Sequence, residues 1–113
     1  MSKYKNQKAE YNGITFDSKA ERDRYIELTL LQKAGKIRNL QCQVPFLLIP
    51  KQESEREVKY YCDFEYFEQV GGRHRHVVED VKSKATAKDK CYILKRKLFK
   101  MQFPSIAFRE EIR

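Results

Sequence analysis

The sequence predicts an α/β (α+β) domain, a mixed central β-sheet flanked by two helices. Three observations predict it. Two segments, one near residues 18–34 and one from about 86 to 102, carry apolar residues at helical spacing. Between them lies alternating, aromatic-rich sequence broken by Gly71-Gly72, the pattern of an antiparallel strand pair. A short apolar run, Ser105 to Arg109, follows the second helix and supplies a last strand. Helix, strands, helix, strand is an order that layers helices against one sheet.

At 113 residues the chain is long enough for one modest core and too short for two. Residues 1–10 show no periodicity and carry Lys3, Lys5 and Lys8, so they are expected to form a flexible basic arm ahead of a single domain over 11–113. The net charge of +8 favours a polyanionic partner, nucleic acid above all, over the alternatives of charge-assisted solubility or anionic lipid. No apolar run is long enough to span a bilayer, and Met1 to Glu10 lacks the apolar core of a signal peptide; the expectation is a cytoplasmic protein with no membrane partner. Three cysteines, Cys42, Cys62 and Cys91, are odd in number and lack zinc-ligand spacing, which predicts reduced, mostly buried thiols.

Tyr11-Asn12-Gly13-Ile14-Thr15-Phe16 has a tight-turn signal at Asn-Gly. Ser18-Lys19-Ala20-Glu21 has the capping-box form, so the first helix starts at Asp17 or Ser18 and stops near Ala34, before Gly35. Ile26, Leu28, Leu30 and Leu31 are its expected apolar surface, and Glu21, Tyr25 and Leu28 share a stripe. Leu40 to Val44 and Phe46 to Ile49 read as strand, with Pro45 marking an edge or a bulge. Lys51 to Glu57 is a charged loop. Val58 to Glu68 is the longest strand, with Tyr60, Cys62, Phe64 and Tyr66 on one face and Asp63 on the other, and Arg73 to Ser83 is its hairpin partner. In the second helix, starting at Thr86 or Ala87, the expected core stripe is Cys91, Leu94, Leu98 and Met101, and Phe103-Pro104 ends it. His74 and His76 are expected as strand-end residues rather than catalytic bases, and Tyr92 as a packing residue.

Val77 to Ser83 carries the chemistry. Alternation puts Asp80 and Lys82 on one face of this strand and Glu79 on the other with Val77 and Val81. Asp63 stands in the same hairpin, and Glu21 heads the core-facing stripe of the first helix. Glu21 has two readings, a capping-box residue and an acid aimed into a site. Carboxylates gathered inside a fold repel one another unless a cation sits between them, which points to a hard divalent metal, Mg2+ or Mn2+. Phosphodiester hydrolysis needs these parts: a metal to polarise the phosphoryl group and activate water, and a cation such as Lys82 to offset the developing charge.

Asp63, the turn, then Asp80-Val81-Lys82, with Glu21 upstream, resembles the PD-(D/E)XK nuclease superfamily, whose core has restriction-endonuclease-like architecture. Order and spacing are most similar to small phage-type Holliday junction resolvases, and residues 12–21 resemble the leading motif of a phage family assigned to that superfamily. The resemblance spans Tyr11 to Phe108, through short, degenerate motifs; Cys62 stands where the pattern has a proline. It implies Glu21, Asp63, Asp80 and Lys82 as catalytic residues, with Asp63, Asp80, the Val81 carbonyl and Glu21 as metal ligands. The implied protein is a magnesium-dependent DNA endonuclease acting on branched DNA as a homodimer, within a bacterial host cell if phage-encoded. Lys3, Lys5, Lys8, Lys19, Lys84, Lys88 and Lys95 are the candidate DNA contacts. The alternatives are a non-catalytic nucleic-acid-binding module on a nuclease fold and a structure-specific or nicking repair nuclease.

Overall fold

The computed structural model describes residues 7–113. The elements are β1 (Ala9–Tyr11), β2 (Ile14–Phe16), α1 (Lys19–Lys33), β3 (Ile37–Ile49), β4 (Val58–Val70), β5 (Arg73–Lys82), α2 (Lys90–Gln102) and β6 (Ala107–Ile112), with a 3-10 turn over Thr86–Lys88. β1 and β2 form a small antiparallel hairpin. The remaining strands form one sheet in the order β3-β4-β5-β6, antiparallel except for the parallel β5-β6 pair. The mixed sheet with two helices is the architecture expected from the sequence.

Two core clusters lie on opposite faces of this sheet. Adjacent residues of a strand point to opposite faces, and Val77 packs with Phe16, Leu28 and Tyr66 while Val78 packs with Leu48, Tyr60 and Phe99. Leu28 belongs to α1 and Phe99 to α2, so each helix covers its own face.

Local chemistry sets the element ends. Ser18 caps α1 by accepting from the Glu21 N–H at 3.1 Å. At the other end Lys36 N–H donates to Leu31 and Gly35 N–H to Gln32, a Schellman closure that needs the positive φ of 77° at Gly35. The β4-β5 hairpin turns on Gly71 and Gly72, both at positive φ, as a primed turn requires. Pro45 sits in β3, an edge strand, as its missing N–H demands.

Several expectations are corrected. Residues 1–10 are not wholly an arm: Ala9 and Glu10 pair with Phe16 and Thr15, and Ala9 is buried. Lys3 and Lys5 lie outside the described residues. In α1, Leu30 and Leu31 are exposed; Leu30 lies 200° around the helix from Leu28 at about 100° per residue, so the two cannot share a face. The second helix starts later than expected, at Lys90, because Asp89 caps it by accepting from Tyr92 N–H at 3.0 Å. Its buried side is Tyr92 and Phe99, not the stripe of Cys91, Leu94, Leu98 and Met101. Phe99 meets Phe46, Tyr60, Phe103 and Phe108 in an aromatic cluster, a larger apolar contact than the aliphatic stripe offers. Cys62 is buried and Cys42 half-buried, whereas Cys91 is exposed; all three are free. No helix of the described residues is long and apolar enough to cross a membrane.

β4 departs most informatively. Tyr60, Cys62, Phe64 and Tyr66 are all buried, but the first two pack on the α2 side and the last two on the α1 side. On β3 the same change falls between Cys42 and Val44, at Gln43, whose φ is 54°. The two strands therefore twist sharply together, and the change on β4 falls at Asp63.

On the α1 face the fully buried Glu79 is held by Arg24 through a two-pronged pair, at 2.6 and 3.0 Å, and by the Tyr66 hydroxyl at 2.6 Å. Removing one partner of a buried ion pair strands the other charge. Arg24→Ala is expected to lower unfolding free energy by about 3 kcal/mol, and adding Glu79→Gln is expected to recover part of the loss; urea denaturation of the two variants measures both.

Candidate functional site at the β4–β5 fork

The β4-β5 ladder ends at Phe64 and Glu79. Beyond it the strands fork, and two aspartates take over the ladder's donors. Asp63 N–H donates to Asp80 Oδ1 at 3.1 Å, and Val81 N–H donates to Asp63 Oδ2 at 2.8 Å. Each carboxylate thus satisfies a backbone donor that the departing strand leaves unpaired. The N–H and C=O of one strand residue point the same way, so the Val81 carbonyl also faces the fork.

Glu21 reaches the fork from the first turn of α1, only 4% exposed. One oxygen accepts from Asp17 N–H at 3.2 Å and the other from Gln43 Nε2 at 2.7 Å. Glu21 braces the helix start, at Asp17 rather than at the cap itself, and it also lines a cleft. Glu21, Asp63, Val81 and Lys82 line one cleft of about 190 Å3, walled also by Ser18 and Arg113.

Asp80 stands apart from the other two acids. It is fully buried, and its second oxygen accepts from the Tyr60 hydroxyl and lies 3.7 Å from Lys82 Nζ. It lines a second cleft with Tyr60, Tyr92 and Lys95, into which Lys82 also reaches. The face assignment made from strand alternation is observed: Asp80 and Lys82 lie together, and Glu79 is on the other side with Arg24. Lys82 spans the two clefts, with its ammonium 4.8 Å from the centre of the Tyr92 ring.

The acids sit in an environment that resists charge. Burial, then the neighbouring Glu21, pushes Asp63 up to about 7. Burial, then Asp63, pushes Asp80 up to about 6. Glu21 is also raised, again chiefly by burial. The nearby Glu21 carboxylate adds to the rise at Asp63, and the Lys82 ammonium works against the rise at both acids. Lys82 offsets only part of the charge that two carboxylates bring to one buried cleft.

Among the described residues no group of three or more His, Cys, Asp or Glu side chains is arranged to hold a metal ion. The donors that do face one another are the Glu21 and Asp63 carboxyls and the Val81 carbonyl, an all-oxygen set. Magnesium is usually held by one or two carboxylates and keeps several waters, so this set suits it. Both Asp80 oxygens are engaged by protein donors, which differs from the four-ligand expectation.

Of the candidate DNA contacts, Lys19, Lys84 and Lys88 are exposed and Lys95 is half-buried; Lys8 is exposed ahead of β1. Lys19 and Lys84 adjoin the cleft residues Ser18 and Ser83 in sequence. His74 and His76 do not line the acidic cleft; His76 bonds Glu65 at 2.8 Å and stacks on Phe67. Tyr92 is buried and donates to Glu110, as a packing residue. Sequence reasoning missed three residues of the site. Gln43 leaves no sequence signal, because its role depends on a left-handed backbone that turns its amide toward Glu21. Tyr60 was legible only as core. Arg113, which lines the cleft and pairs with Glu27 at 2.5 Å, lies beyond the last strand expected from the sequence, Ser105 to Arg109.

Fold and site together define a small mixed α/β domain with an acidic cleft at a strand fork. The chain belongs to the family described as "Protein of unknown function (DUF1064)", whose model matches residues 1–113. No curated protein and no solved structure matches it.

Raised acid pKa values link stability to pH. A carboxyl whose folded pKa lies above its unfolded value binds more protons when folded, so stability falls as pH rises between the two. For Asp63 that window runs from its ordinary 3.8 to about 7. Thermal melts in chelator are expected to show Tm falling across this window, and Asp63→Asn is expected to flatten the decline.

Proposed function

We propose that this protein is a divalent-metal-dependent nuclease of the PD-(D/E)XK type, with magnesium or manganese as its cofactor and DNA as its substrate. The observation that carries the reading is the meeting of Glu21, Asp63, the Val81 backbone and Lys82 in one cleft at the fork of β4 and β5. When held there, the ion supplies Lewis-acid polarisation of a phosphoryl oxygen and an acidified water. Glu21 and Asp63 would hold the ion through carboxylate oxygens. Gln43 holds Glu21 in place by donating to its free side. Lys82 sets an ammonium in the cleft wall, where it offsets negative charge developing on a phosphate, and Asp80 orients that ammonium from behind. The net charge of +8, with Lys19 and Lys84 adjoining the cleft, suits a polyphosphate backbone.

Branched DNA is the substrate that the sequence resemblance favours. Cutting a four-way junction requires two strand breaks, which a two-fold dimer provides with one site each. The expected result is cleavage of a labelled four-way junction in magnesium, weaker cleavage of flap and linear duplex, and none in chelator. Asp63→Asn and Lys82→Ala are each expected to lower the rate by ~100-fold or more. Cleavage that is independent of metal, or equal in all three proteins, overturns the reading.

One observation favours a second reading, a nucleic-acid-binding module without catalysis: both oxygens of Asp80, and both of Glu21, are engaged by protein donors. Manganese binding separates the two. The nuclease reading expects measurable affinity that is lost in Asp63→Ala and weakened about 10-fold in Gln43→Ala, the usual scale for removing a partner that orients a ligand. A binding module shows salt-dependent DNA affinity and no manganese affinity.

A further inference from the structure

Helix α2 carries two apolar stripes; the fold covers one fully and, of the other, only part of Leu98, which packs against the Leu48 and Phe99 cluster. Tyr92 and Phe99 face the sheet. Cys91, Leu94, Leu98 and Met101 form the other, at successive spacings of three, four and three residues. That is the a and d spacing of a coiled-coil seam. Leu94 is 60% and Met101 69% exposed, Cys91 is exposed, and Leu98 is half-buried. Beside the seam lies a cleft of about 410 Å3 lined by Ile49, Val58, Leu94 and Leu98. Water contacts an apolar surface here that no element of the described residues covers.

The charges flanking the seam select what covers it. With Cys91 and Leu98 at a and Leu94 and Met101 at d, the flanking e and g positions are Lys90, Lys95, Lys97 and Gln102, and no Asp or Glu occurs between Lys90 and Gln102. The ion pairs among the described residues include none of these three lysines. A second copy of the helix brings lysine to lysine in either orientation, which is repulsive. Nucleic acid suits the lysines and leaves the leucines uncovered.

We infer that the outer seam of α2 docks a helix of a partner protein that carries apolar residues at its a and d positions and Glu or Asp at its e and g positions. The partner's apolar knobs pack between Leu94, Leu98 and Met101, one of them entering the cleft beside Ile49 and Val58. Its acids pair with Lys90, Lys95 and Lys97 along both borders. This inference does not rest on the nuclease reading, and its test is blind to cleavage.

The probe is a labelled synthetic peptide of three heptads, leucine at a and d and glutamate at e and g, with a twin carrying lysine at e and g. Fluorescence anisotropy with the full chain is expected to show the acidic peptide binding at least tenfold more tightly than its twin. Leu94→Gln and Met101→Gln, neutral changes at exposed positions that leave the fold intact by circular dichroism, are each expected to weaken it by tenfold. Lys97→Glu is expected to weaken the acidic peptide and strengthen the twin. Equal binding of the two peptides, or binding unchanged in both glutamine variants, overturns the inference. So does a dimer that Leu94→Gln converts to monomer in sedimentation, because the seam then belongs to a second copy. Loss of duplex DNA affinity in Leu94→Gln likewise overturns it in favour of nucleic acid.

Discussion

The departure of β4 from β5 after Phe64 and Glu79 is the constraint on which the rest of the site depends. A sheet that forks leaves backbone donors without partners, and an unpaired buried N–H costs as much as a lost hydrogen bond. Asp63 and Asp80 answer that cost by accepting from each other's strand. Their carboxylates are therefore structural before they are anything else, and the same hydrogen bonds fix where they point. Because the fork opens between the strands, Asp63 and the Val81 backbone face the α1 side, where the start of that helix delivers Glu21. Asp80 falls to the α2 side, and Lys82 is left as the group that touches both clefts.

Much of this was legible in the sequence where the backbone is regular. β5 pairs on both sides, with β4 and with β6, so simple alternation assigned Val77, Glu79 and Val81 to one face and Val78, Asp80 and Lys82 to the other. Ser18 and Glu21 were legible as a helix start because capping depends on neighbours in the chain. Alternation failed where the strands twist. Cys62 and Phe64 are two apart and sit on opposite faces, because β3 and β4 turn over together near Gln43 and Asp63. Nothing in the local residues of β3 announces a left-handed glutamine, since the conformation is held by a contact with a helix 22 residues earlier in the chain.

Gln43 also bears on how the site holds its charge. A non-glycine residue in the left-handed region is strained, and such strain persists only where surrounding contacts over-determine it. Here the amide donates to a nearly buried carboxylate, and a charge-assisted bond of that kind is about twice as strong as a neutral one. Glu21 is then fixed from two sides, by the Asp17 backbone and by Gln43, while Asp63 is fixed by Val81. Held in this way the two acids cannot swing apart, and burial together with the nearby Glu21 favours the protonated form of Asp63.

The second helix shows how one sequence pattern can serve two surfaces. Cys91, Leu94, Leu98 and Met101 have the periodicity that marks a core face, and so do Tyr92 and Phe99, which lie on another side of the same helix. Periodicity establishes that a stripe is apolar, but it cannot say which stripe the rest of the chain will reach. The sheet takes the aromatic one, because Phe46, Tyr60 and Phe108 already line that surface and ring-to-ring packing buries more area per residue. The aliphatic one is left outside with lysines along both borders. It borders Ile49 and Val58 of the sheet and includes none of the residues that line the cleft of Glu21, Asp63 and Lys82, so the two surfaces are separate.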